Sequence, residues 1–188
     1  MKKILISGFE PFAGNQSNPT QDLALSLPNN DFLQSIVLPV SFQRGWNTLE
    51  EKIISMKPQW VISFGVAAKR QTIDFERVAL NFMDASIPDN DGLLMKETFI
   101  DSQFPSCFIN ELPLNDWTTN LSNEFPVNVS LSAGSFVCNH LYFNLLKNKD
   151  FYNYQTIFIH LPYAQGAITQ ETFQKFLVNF LLILNQNS

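Results

Sequence analysis

The strongest constraint on the fold is an alternation near the amino end. Apolar runs at residues 2–7, 36–40 and 60–65 are separated by two segments with helical spacing. Short runs that are apolar on both sides of the chain suit strands buried on both faces, and helices between them suit crossovers of a parallel sheet. The first helical segment begins at Asn18-Pro19-Thr20, where Asn18 can cap and Pro19 can take the first helical position; Leu23, Ala24 and Leu27 continue one apolar face until Pro28-Asn29-Asn30. The second carries Trp46, Leu49, Ile53 and Ile54 and stops at Lys57-Pro58. The expected fold is α/β: a single domain over residues 1–188 with a mostly parallel twisted sheet, helices on both faces and right-handed crossovers.

The rest of the chain extends this pattern with one gap. Residues 73–83 alternate, with Glu76, Val78, Leu80 and Phe82 on one side and Arg77, Ala79 and Asn81 on the other, as in a strand or an extended arm. Pro88-Asp89-Asn90-Asp91-Gly92 is turn chemistry. Residues 93–125 mix Phe, Pro, Asn and Trp without a clean period, and only a short helix near 115–123 is expected there. A strand at 127–131, the turn Ser132-Ala133-Gly134, and Phe136, Val137, Leu141, Tyr142, Leu145 and Leu146 at helical spacing follow. A last strand over 156–161 contains His160, and an apolar helix over 169–185 closes the chain.

At 188 residues the chain can bury a core without disulfides or a structural metal. A hydrophobic fraction of 45% with 18 phenylalanines argues against disorder. No apolar run approaches the roughly 20 residues of a membrane span, so a soluble protein without a membrane partner is expected. The net charge of -5 and the scarcity of lysine and arginine weigh against nucleic acid. Met1-Lys2-Lys3 is followed at once by Ile4-Leu5-Ile6 and Gly8, too short an apolar core for a secretory signal. Cys107 and Cys138 are therefore expected as free thiols in the cytoplasm.

Cys138 is the candidate nucleophile, because it falls where a strand and tight turn lead into the first turn of a helix. A thiol with an ordinary pKa near ~8.5 needs activation, and a helix start offers partial positive charge and free N–H groups. Two histidines are available as a base. His160, in an apolar strand, is either satisfied by a core hydrogen bond or working as that base. His140 should face elsewhere on the helix, at the surface or behind the site. Glu76 is the acid best placed to orient an imidazolium, with a surface salt bridge as its other reading. Cys107 lies in no turn-to-helix setting and reads as structural. No metal is expected, since the cysteines and histidines lack ligand spacing, and Asp89 and Asp91 lack the register of a calcium loop. The loop over residues 8–14 lacks the G-K-[ST] ending of a phosphate cradle, and its phenylalanines suggest an apolar pocket.

Several blocks in one order resemble the pyroglutamyl peptidase I family of cysteine peptidases: Ser7-Gly8-Phe9-Glu10-Pro11-Phe12, Asn18-Pro19-Thr20, Glu76-Arg77-Val78-Ala79-Leu80-Asn81, Ile87-Pro88-Asp89-Asn90, Ser132-Ala133-Gly134-Ser135-Phe136-Val137-Cys138-Asn139 and Phe158-Ile159-His160-Leu161-Pro162. The resemblance implies a triad of Cys138 as nucleophile, His160 as base and then acid, and Glu76 as orienting carboxylate. It further implies a pyroglutamyl ring held between Phe9 and Phe12, with Val137 nearby, backbone bonds around Val66, and Asn18 in or behind the pocket. Peptides with an amino-terminal pyroglutamate are the implied substrates, with no cofactor, and a homo-oligomer, often a tetramer, is the implied assembly.

That chemistry is coherent with the residues. A lactam terminus has no ammonium, so apolar rings and a few backbone bonds suit it, and buried polar groups that go unpaired reject an analogue such as proline by roughly 10⁴-fold. The chain departs from the family at Val66 and Ala68-Lys69 in the G-Q-A-G-G-R block, at Ala13 in the first loop, and at Ser86, where an arginine is usual. Loss of that cation would lower the rate or change the preferred acyl group. The alternatives are a weakened relative that binds pyroglutamyl peptides and an amidase for another small acyl group.

Overall fold

A computed structural model describes residues 2–164, 166 and 168–186 of the chain. The alternating start folds as expected: β1 (Ile4–Phe9), α1 (Pro19–Leu25), β2 (Leu33–Leu38), α2 (Arg44–Met56) and β3 (Trp60–Val66). Asn18 caps α1 through its Oδ1, which accepts from the Thr20 amide at 3.0 Å, and Pro19 occupies the first turn. Gly8 lets this helix start rest directly on β1, since a Cβ there would lie 2.0 Å from the Thr20 carbonyl oxygen.

β4 (Ile73–Glu76), β5 (Val78–Leu80), β6 (Cys107–Ile109), α3 (Leu114–Leu121), β7 (Val127–Ser130), α4 (Val137–Tyr152), β8 (Gln155–Leu161) and α5 (Gln170–Gln186) complete the order. The main sheet runs β2-β1-β3-β8-β4-β7. Strands β2, β1, β3 and β8 are mutually parallel, whereas β4 pairs antiparallel with β8 and carries β7 in its own direction.

Period-two alternation sorts the sheet into two faces. On one, Leu5, Phe9, Val61 and Phe158 meet Trp46, Leu49 and Ile53 of α2 and Leu141, Tyr142 and Leu145 of α4. On the other, Ile6, Ile62, Phe75 and Ile159 meet Leu23 of α1, Trp117 of α3 and Phe173, Phe176 and Phe180 of α5. The helices thus cover both sides of the sheet, as β1, buried throughout, and β8, buried from Thr156 to Leu161, demand.

The alternating run over residues 73–83 divides at Arg77. Its first part joins the main sheet as β4, and its second leaves to form the β5–β6 hairpin. Arg77 holds the corner: its amide donates to the Ser130 carbonyl at 2.7 Å, and its guanidinium to the carbonyls of Asn110 and Leu112 at 3.0 Å each. Two buried asparagines then substitute for apolar periodicity. The Asn139 side chain accepts from the Leu80 amide and donates to the carbonyls of Leu80 and Phe82, which pins β5 to the start of α4. The Asn81 amide group donates to the carbonyls of Asp101, Phe104 and Pro105, gathering part of the stretch that shows no period in sequence.

Candidate active site

Cys138 is the second residue of α4, whose cap, Phe136, has extended backbone and makes no side-chain hydrogen bond. The cap side chain therefore leaves the N–H groups of this first turn uncapped, and they supply the positive end of a 16-residue helix. The helix start bears directly on β3. A Cβ on Gly65 would lie 2.7 Å from Cys138 Sγ and 2.8 Å from Phe158 Cζ, so only glycine leaves space for the thiol. Gly65 pairs with His160 across the parallel β3–β8 register, so the thiol rests over the residue beside the histidine.

Reversal of β4 delivers the third residue. Asp74 lies opposite His160, so Glu76 is its diagonal neighbour on the same sheet face. His160 Nδ1 is 2.7 Å from Glu76 Oε1, with the histidine 4% exposed and the glutamate fully buried. The Tyr142 hydroxyl donates to the Glu76 carbonyl at 2.7 Å and fixes the backbone behind it. Arg70 approaches from the other side: its Nη1 donates to Glu76 Oε1 at 2.6 Å and to Asp74 Oδ2 at 2.8 Å.

Electrostatics divide the roles. Burial pushes the Glu76 carboxyl up, but the hydrogen bond and charge of His160, the Ser130 hydroxyl and the Arg70 charge outweigh it, so the group is held below its usual range and stays ionised. Burial pushes the Cys138 thiol up to about 12; the Glu76 charge adds to this, and Arg70 and the cysteine's own N–H oppose it. At rest the Cys138 side chain is therefore a neutral thiol, which would need a base to act as a nucleophile.

The remaining candidates form an aromatic rim and its support. Phe12 is half-buried beside Phe136, with ring centroids 6.1 Å apart, and Phe136 meets Phe42 edge-on at 5.4 Å. Phe9 is 2% exposed and Val137 1%, both within the core beneath this rim. Val66 is half-buried at the end of β3, in register with Leu161. Asn18 spends its polar atoms on the loop, accepting from Thr20 and donating to the Glu10 carbonyl at 3.0 Å. The Pro88-Asp89-Asn90 turn clamps the same loop. Asn90 Nδ2 donates to Glu10 Oε1 at 2.8 Å and to the Pro11 carbonyl at 2.9 Å, while Asp89 accepts from the Phe42 amide at 2.9 Å.

The family model for pyroglutamyl peptidase matches residues 2–176. The chain belongs to the pyroglutamyl peptidase family. It is 36% identical over 180 residues to a pyrrolidone-carboxylate peptidase of Thermococcus litoralis, covering 92% of this chain and 82% of the relative. It is 39% identical over 172 residues to that of Thermosipho africanus, covering 88% and 84%. Among solved structures, the pyrrolidone carboxyl peptidase from Thermococcus litoralis superposes with a TM-score of 0.90 at 32% identity, over 100% of this chain and 97% of that one. Pyroglutamyl peptidase I of Bacillus amyloliquefaciens gives 0.88 at 30%, over 94% and 93%.

Within this pyroglutamyl peptidase fold, three residues of the site carry no role in the sequence reading. Gly65 and Phe136 face the thiol and the loop only through tertiary approach. Arg70 closes the G-Q-A-G-G-R block, and the one legible signal is that it is among just three arginines in the chain. Ser86 is exposed, in a segment tied to the nucleophile turn by the Ser135 hydroxyl, which donates to the Asp84 carbonyl at 2.7 Å. His140 packs edge-on against Phe42 at 5.8 Å, and burial pushes it down to about 4, so it is neutral at pH 7. Gly65→Ala is expected to lower kcat about 100-fold by displacing the thiol, because misplacement of a reacting atom by ~1 Å has that scale of effect. Steady-state kinetics beside a thermal melt checks this, with KM expected to change far less than kcat.

Proposed function

We propose that this protein is a cysteine exopeptidase that hydrolyses the amide bond after an amino-terminal pyroglutamyl residue. The observation that carries the reading is the convergence at one point of the buried Glu76–His160 pair, the thiol over Gly65, and the open first turn of α4. With His160 Nδ1–H donating to Glu76, Nε2 is left to serve the thiol. Cys138 Sγ attacks the scissile carbonyl carbon as its proton passes to His160 Nε2, and the carbonyl oxygen, now an oxyanion, is held by first-turn N–H groups of α4. His160 then gives the proton to the departing amine, leaving a pyroglutamyl thioester. Water, deprotonated by His160, attacks that thioester and releases pyroglutamate, and the proton returns to sulfur.

The pyroglutamyl ring fits an apolar slot at Phe12 and Phe136, with Phe9 and Val137 supporting it from the core and backbone groups around Val66 pairing with the lactam. Asn18 acts through the loop it secures. The guanidinium of Arg70 supplies a cation at the triad, so the serine at position 86 does not leave the site without one, which favours a working peptidase over a binder. No helix among the described residues is long and apolar enough to cross a membrane. A cytoplasmic, single-domain homo-oligomer, a tetramer by resemblance, completes the proposal, with exposed Phe99 and Phe151 as apolar surface that subunit contacts would cover.

A panel of fluorogenic amides tests the reading. Turnover of the pyroglutamyl amide, with the prolyl and acetyl amides far slower, is expected. Preference for another acyl group would replace the substrate assignment, and no turnover of any amide by an enzyme with a titratable thiol would overturn the peptidase.

A further inference from the structure

Arg70 sits where the acid of the triad, its neighbour on β4 and the turn before the nucleophile all meet. Its Nη1 donates to Glu76 Oε1, the same oxygen that His160 Nδ1 contacts, and to Asp74 Oδ2. Its Nη2 donates to the Ser132 carbonyl at 2.8 Å, in the turn between β7 and α4. Asp74 is itself held by the Thr72 hydroxyl at 2.6 Å, so the guanidinium is shared between two fixed carboxylates. One planar, five-donor group can reach three acceptors in this way, and a lysine cannot.

We propose that Arg70 is a positioning residue of the reaction, one whose guanidinium locks the Glu76 carboxylate onto His160 and ties that pair to the Ser132 turn from which the nucleophile helix departs. The inference rests on the triad reading above. Shared use of one carboxylate oxygen means that Arg70 both orients Glu76 and moderates its pull on the imidazolium. Asp74 sets how much of the cation Glu76 receives. The side chain of Arg70 is 27% exposed, so the guanidinium closes the solvent side of an otherwise buried pair.

The charged or titratable groups facing this cluster are Asp74 and Glu76 on β4, His160 on β8, and Cys138 and Tyr142 on α4, with the neutral Ser130 hydroxyl on β7. The sign of the electrostatic effect is fixed by their arrangement. Removing a cation raises the pKa of every neighbouring acid and imidazolium, and removing an anion lowers it.

The test compares Arg70→Met, Arg70→Lys and Asp74→Asn with wild type on the pyroglutamyl amide, across pH, alongside thermal melts. Arg70→Met is expected to lose about tenfold to 100-fold in kcat at nearly constant KM, on the scale of a misplaced catalytic group, and to move the acid limb of kcat/KM up by about one pH unit. Arg70→Lys should recover only part of the rate. Asp74→Asn should move the acid limb the other way, down, because Glu76 then has the guanidinium to itself. Added guanidinium ion should restore part of the rate of a folded Arg70→Gly, through the exposed side of the site. Should Arg70→Met fail to fold, the opposite limb shift in Asp74→Asn and the partial rescue in Arg70→Lys still decide the matter. Wild-type kcat and an unmoved limb in both charge variants would overturn the proposal, while inactivity of wild type would instead overturn the peptidase reading on which it rests.

Discussion

Cys138→Ser is expected to lower turnover of a pyroglutamyl amide by about 10⁵-fold or more, the scale seen when the nucleophile of a hydrolase is removed. The fold should persist. The sulfur fits over the missing side chain of Gly65, and a smaller hydroxyl does not crowd that space. A serine hydroxyl in the same enclosure is a far weaker acid than a thiol, and burial that already pushes Cys138 up to about 12 penalises an alkoxide more. Single-turnover mixing completes the test, since wild type should form an acyl-enzyme and the variant none. Retention of more than about one per cent of the rate in a variant free of wild-type contamination would exclude Cys138 as the nucleophile.

Glu76→Gln is expected to lower kcat by about 10³- to 10⁴-fold, the effect of neutralising the buried acid of a triad. The amide keeps the shape but not the charge. At the position that His160 Nδ1 and Arg70 Nη1 share, an NH₂ would set a donor against the guanidinium and force the tautomer that leaves the wrong nitrogen for the thiol, whereas an amide oxygen there would be a weaker acceptor for both. Loss of the carboxylate also removes an anion from beside the imidazolium, so the acid limb of kcat/KM should move down as the maximum falls. KM should change little, because Glu76 is fully buried behind His160. A variant with wild-type kcat would show that the Glu76–His160 pair is only a structural ion pair.

Legibility of the fold followed the source of each element's stability. β1, β3 and β8 are buried on both faces, and α2 and α5 present apolar faces to the sheet, so their burial is written in the spacing of Ile, Leu, Val and Phe. The hairpin of β5 and β6 was hidden because its supports are polar and distant. Asn139 is 59 residues from Leu80, and Asn81 gathers carbonyls 20 to 24 residues beyond it, with no periodic signal in either partner. The alternation over residues 73–83 was real, but its break at Arg77 depends on Ser130, Asn110 and Leu112, which no local pattern names.

The site divides in the same way. Sequence alone placed Cys138 at a helix start and His160 near a strand end, because strand, turn and helix signals are local. It also read Asn18 as the cap of a helix beginning at Pro19, and Asn18 caps α1. Only the tertiary structure decided that Glu76 meets His160, since this requires β4 to run against β8 so that two residues 84 apart become diagonal neighbours. Only it seated the thiol on Gly65 and turned Arg70 back onto Glu76 and Ser132. Spacing and burial act along the chain and can be read from it, whereas strand direction and shared hydrogen-bond acceptors are set by packing among elements that the chain brings together last.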